Sequence, residues 1–234
     1  MTEVLTLGEL TIAVELKAVQ HVHLSVYPPD GQVRMTAPER MALATLRAYA
    51  ISKLSWIREQ QRRLRAQPRE TPRECVERES HFLWGERCLL KVIEREAPNR
   101  VVRGHREIRL EVRVGTSPER RRALLAAWQR TQLRAEAAPL VAHWERVLGV
   151  TVTRLHVQRM KTRWGSCSPA RGSIRLNAEL VKKPREYLAY VVLHEMVHLL
   201  EPTHGARFVA LMDHHLPGWP QLRQGLNQLP LGSG

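Results

Sequence analysis

The chain has 234 residues, of which 43% are hydrophobic and 26% charged, with a net charge of +14. That size and balance are ordinary for a soluble globular chain that can bury a substantial core, as one large or two small domains. The three cysteines, Cys75, Cys88 and Cys167, are odd in number and show no C-x-x-C spacing, which argues against a disulfide framework and against a cysteine-held zinc.

No run of about 18 apolar residues is present to span a membrane. The opening "MTEVLTLGELTIAVELK" lacks a basic region followed by an apolar one, so a reduced, cytoplasmic location is expected. The positive charge is mostly arginine and suits a nucleotide or nucleic-acid partner, although a solvated basic surface explains it equally well.

In chain order, "LTIAVELK" and "HVHLSVY" alternate apolar and polar residues, "PPDG" is turn chemistry, and "QVRMTA" alternates again. A small β-meander is expected, with His21 and His23 on its exposed face. A long helix follows, with Thr36 and Glu39 as a capping box, Pro38 in the first turn, and Leu43, Leu46, Ala50, Leu54, Ile57 and Leu64 at helical spacing. After the charged connector "PRETPRECVERES", "HFLWGERCLLKVIERE" and "REIRLEVRV" read as a second set of strands. Ser117 and Pro118 start a helix that Pro139 is expected to kink or interrupt and Gly149 to end. "TVTRLHVQ" and the stretch 161–177 then give short strands and turns before a helix that begins at Pro184. The expected division is an N-terminal β-meander and helix region, 1–115, and a catalytic region, 116–234, joined as one continuous compact unit.

The last helix carries the chemistry. "YLAYVVLHEMVHLL" is apolar all round except for its tyrosines, His194, Glu195 and His198, so it reads as buried. Ionisable groups are costly there unless paired or bound to an ion. His194 and His198 are four residues apart on one helical face, the spacing by which two imidazoles converge on a zinc ion in H-E-x-x-H. Glu195, rotated about the axis, is placed to take a proton from metal-activated water as general base. For a third ligand no glutamate follows Glu201, which sits on the same helix end. His204 is the best placed, because Pro202 stops the helix and forces a turn. Asp213, His214 and His215 remain alternatives.

These residues resemble the YgjP-like family, which is grouped with SprT-like and WLM-type zinc metallopeptidases. The resemblance is carried by "RWGSCS" (163–168), "IRLNAELVKKP" (174–184), "YVVLHEMVHLLEPTHGARF" (190–208) and "PGW" (217–219). It implies an α+β, minimal zincin-like fold, with the active helix packed on a small mixed sheet. It also implies His194, His198 and His204 as ligands of Zn2+, and Glu195 as the catalytic base.

The function expected is zinc-dependent hydrolysis, foremost of a peptide or protein. "GSIRLN" (172–177) is the candidate edge strand for substrate, and Tyr187 or Tyr190 a candidate oxyanion donor. A nucleotide phosphohydrolase is the alternative, with Lys161, Arg163 and Arg171 as candidate phosphate-binding residues. A protease acting on DNA-bound proteins is a third reading, for which the basic charge would serve nucleic acid.

Overall fold

Alternating apolar residues pair into sheets as their spacing requires, but the order of the strands is set by which faces can be buried together. The computed structural model describes residues 2–27, 31–66 and 73–229. The chain divides into two units, Met1–Glu70 with Leu229–Gly234, and Thr71–Gln228.

In the first unit, β1 (Thr2–Leu7), β2 (Leu10–Lys17), β3 (His23–Tyr27) and β4 (Gln32–Pro38) form a sheet of order β1-β2-β4-β3. A meander would set β2 beside β3. Instead β2 runs parallel to β4, with Ile12 opposite Val33 and Val14 opposite Met35, and these four side chains share the buried face. His21 and His23 are exposed. Most of the predicted "PPDG" turn lies outside the described residues, but its Gly31 has a φ of 73° and donates its N–H to the Tyr27 carbonyl. Only glycine takes that backbone without strain.

The expected capping box does not form. Thr36 stays in β4, opposite Glu15 of β2, and the helix begins later as α1 (Leu43–Ser52). Lys53 then separates α1 from α2 (Leu54–Ala66), so the expected single helix is two. Leu46, Ala50 and Ile57 close the core over the sheet.

The second unit opens with β5 (Ser80–Leu83), β6 (Glu86–Glu94), β7 (Arg100–Arg103) and β8 (Glu107–Val112), in the order β5-β6-β8-β7. This repeats the topology of the first sheet, including a parallel central pair, Leu90 opposite Ile108. The sequence division at 115/116 separates these strands from the helices after them, whereas the fold groups them together. The tip between β5 and β6 is the physical reason: Trp84 and Gly85 donate their backbone N–H groups to the carbonyls of Val181 and Lys182.

The helix α3 (Pro118–Leu148) is capped by the Ser117 side chain, which accepts from the Arg120 N–H, and ends at left-handed Gly149. Pro139 does not interrupt it, and α3 runs unbroken for 31 residues. A second, three-stranded sheet follows, made of β9 (Arg154–Gln158), β10 (Gly165–Ser168) and β11 (Ser173–Asn177), in the order β10-β11-β9. The helices α4 (Arg185–Val197), α5 (Ala206–His215) and α6 (Trp219–Gln228) complete the unit. Arg185 at the start of α4 pairs with Glu136 of α3 at 2.8 Å. The architecture is therefore α+β with small mixed sheets. No helix among the described residues is long and apolar enough to cross a membrane.

Candidate metal centre and active-site cleft

The helix α4 is buried almost all round, as its apolar sequence requires: Leu188, Val191, Val192, Leu193, Met196 and Val197 are all in the core. It ends at Val197, earlier than Pro202 alone would dictate, and His198 is its C-cap. The backbone then tightens, with Leu199 and Leu200 donating to carbonyls three residues back. The turn through Pro202 returns the chain, so His204 faces the two helix histidines.

Three imidazoles converge. The Nε2 atom of His204 lies 3.1 Å from that of His194 and 3.2 Å from that of His198. Nitrogens that share one tetrahedral zinc at about 2.0–2.1 Å stand about 3.3–3.4 Å apart, so the arrangement fits such an ion. The Nδ1–H of His198 donates to the Glu201 carbonyl at 3.0 Å, which fixes the tautomer that leaves Nε2 free to ligate. Burial first, then the neighbouring His198 and His204, push the His194 imidazole down to about 3, keeping it in the neutral form a metal needs. Its Nδ1 is buried with no partner among the described residues. Phe208 of α5, 1% exposed, packs on all three rings, with centroids 4.7–5.0 Å away.

Glu195 is 6% exposed. Burial raises its carboxyl to about 8, and Arg163 opposes that shift. The neighbouring strand makes room for it through Gly165: a Cβ there would stand 2.5 Å from the Glu195 Oε1. Gly165 therefore admits the carboxylate, and no larger residue does so without displacing it.

A cleft of about 550 Å³ opens over these groups. One wall is Trp164, Gly165, Ser166 and Cys167, including the free edge of β10; Tyr190, Arg223 and Asn227 stand on other walls. This corrects the expected edge strand. β11, which carries "SIRLN", is central and paired on both sides, whereas β10, which lines the cleft, is an edge strand. Of the predicted basic residues, Arg163 lines the cleft, and exposed Lys161 and Arg171 do not. Glu195 is the only carboxylate among the lining residues. Burial pushes the Tyr190 hydroxyl up to about 12, so it stays protonated. Tyr187 is used elsewhere, its hydroxyl seated where a side chain on Gly225 would be.

The alternative third ligands are engaged elsewhere. Asp213 accepts from the Trp219 indole N–H at 2.8 Å, and His214 stacks edge-on with His215. Sequence reasoning missed Phe208, Gly165, Arg223 and the buried Asn177. The Asn177 amide donates to the Met160 and Arg163 carbonyls and accepts from the Met160 and Glu179 N–H groups, which fixes the loop that carries Arg163 into the cleft. Its place in "IRLN" beside a turn was a signal for such a role.

With this geometry in view, comparison with known proteins defines the class. The family model described as "YgjP-like, metallopeptidase domain" matches residues 21–229. The chain belongs to the YgjP-like family, and membership implies protein or peptide substrates. Two solved structures are similar to parts of it. The metallopeptidase zymogen abylysin of Pyrococcus abyssi is 20% identical, with 41% of this chain and 99% of that one covered at a TM-score of 0.36. The zymogen jannalysin of Methanocaldococcus jannaschii is 21% identical, covering 39% and 94%, also at 0.36. No curated protein matches the chain.

Proposed function

We propose that the protein is a zinc-dependent peptidase whose metal is held by His194, His198 and His204 and whose general base is Glu195. The observation that carries this reading is the convergence of three imidazole Nε2 atoms beside a buried carboxylate at the floor of a cleft. Zinc bound there supplies Lewis-acid activation of water and of the scissile carbonyl.

The residues of the chain do the rest. The free edge of β10 aligns an extended substrate by backbone pairing. The Glu195 carboxylate takes the proton from the attacking water and passes it to the leaving amine. The Tyr190 hydroxyl donates a hydrogen bond toward developing negative charge. Arg163 and Arg223, facing a cleft whose only carboxylate is Glu195, favour an anionic group near the scissile bond. The same pair supports a second reading, hydrolysis of a nucleotide phosphoanhydride, and the net positive charge is compatible with action on DNA-bound protein.

The test is Glu195→Gln against wild type on three substrates: unfolded protein, DNA-bound protein and nucleoside triphosphates. The variant should keep its metal and lose turnover by about 10²–10⁴-fold on whichever substrate the wild type cleaves. Full activity in the variant would remove Glu195 as the base, and wild-type turnover of triphosphates alone would replace the peptidase reading with the nucleotide one.

A further inference from the structure

Away from the cleft, a second set of ligand-type side chains meets. Cys75, Glu79 and His81 offer a sulfur, a carboxylate oxygen and an imidazole nitrogen, all within 4.8 Å of one another. Cys75 is 2% and His81 5% exposed.

The Glu79 carboxylate is fixed before any ion arrives. Its Oε1 accepts from the Glu74 N–H at 2.8 Å, its Oε2 accepts from the Cys75 N–H at 2.9 Å, and Oε2 also pairs with the His81 Nε2 at 2.8 Å. Holding a ligand carboxylate by backbone donors is how metal sites orient their oxygens. The segment is also held in an unfavourable conformation: Cys75 and Arg78 have φ values of 57° and 62°. Left-handed backbone at non-glycine residues persists only where the surroundings impose it, and such strain gathers at sites with a task.

The charges fit a dication. A Cys75 thiolate and the Glu79 carboxylate balance a charge of two, with His81 neutral. Binding therefore exchanges one proton: the S–H bond breaks, a sulfur–metal bond forms, and the proton leaves to solvent. Among the cations nearby, Arg121, Arg122 and Lys182 already hold Glu94, Glu119 and Glu179, and Arg73 also faces the cluster. A sulfur, nitrogen and oxygen donor set suits zinc.

We propose that Cys75, Glu79 and His81 form a second, structural divalent-metal site, which takes zinc and clips the segment before β5 onto the sheet of the second unit. The donors stand on a turn and a strand rather than on one helix, and none of them lines the cleft.

The test uses the full chain, stripped with a chelator and reloaded with cobalt(II). The expected result is two ions per chain and a thiolate-to-cobalt absorption band in the near ultraviolet. That band should persist in Cys167→Ala, whose thiol lies beside the cleft, and vanish in Cys75→Ser and in His81→Gln, each of which keeps one ion. A single ion per wild-type chain, or a band that survives Cys75→Ser, overturns the proposal. The wild-type stoichiometry decides the matter even where a variant fails to fold.

Discussion

The two clusters of ligand-type side chains are built in opposite ways. The histidine triad takes two donors from consecutive turns of one buried helix and the third from the turn after it, and its nitrogens face a cleft. The cluster of Cys75, Glu79 and His81 joins a turn to a strand, and its carboxylate is held in place by two backbone N–H groups and an imidazole. One leaves donors directed at a space that substrate can reach, whereas the other turns them inward on themselves. A donor set that faces a cleft suits chemistry, and one buried away from it suits fastening.

That contrast can be broken at several points. The largest effect is expected for His204→Ala, which removes one of three donors: the ion at the triad should be lost together with activity. The cobalt–thiolate band assigned to the other cluster should stay, as read by metal content and absorption on the same sample. Loss of both signals together would mean that the two centres are not independent.

Gly165→Ala comes next. The added methyl overlaps the Glu195 carboxylate, and displacement of a reacting group by about 1 Å costs on the order of 10²-fold in rate. Turnover should fall by about that factor with metal content unchanged, and unchanged turnover would show that Glu195 has room to move. Asn177→Ala leaves part-buried backbone groups at Met160 and Arg163 without this partner and should destabilise the protein by on the order of 1–3 kcal/mol in urea unfolding.

The smallest effects separate the basic residues. Arg223→Ala should raise KM by roughly tenfold on a substrate that carries a carboxylate near the scissile bond, in keeping with a lost charge-assisted hydrogen bond. Lys161→Ala and Arg171→Ala, both outside the cleft, should leave KM within about twofold. A reversed order would move substrate to another face.

Much of the triad was legible because helix geometry is local. The spacing of His194 and His198, the stop at Pro202 and the buried character of the helix follow from about 15 consecutive letters and the fixed rise and twist of the backbone. The strands were legible by alternation, but their partners were not. Nothing local says that β2 pairs with β4 rather than β3, or that β10 and not β11 is the edge, because pairing is decided by which apolar faces can be covered at once. The Thr36 capping box failed for the same reason: the pairing of β4 with β2 held Thr36 in extended backbone against its local preference.

The sequence by itself determined the polar pattern of α4 and the turn after it: a histidine pair, a glutamate beside the first and a histidine after the turn. Tertiary structure alone decided what surrounds that chemistry. It set Gly165 against Glu195, placed Phe208 behind the imidazoles and brought Arg223 over the cleft from residues far along the chain. It also joined Cys75 to His81 through Glu79, where the spacing of the cysteines had argued against a cysteine-held metal. Local patterns record what each segment prefers, while a site between segments exists only once burial of the core has fixed their positions in space.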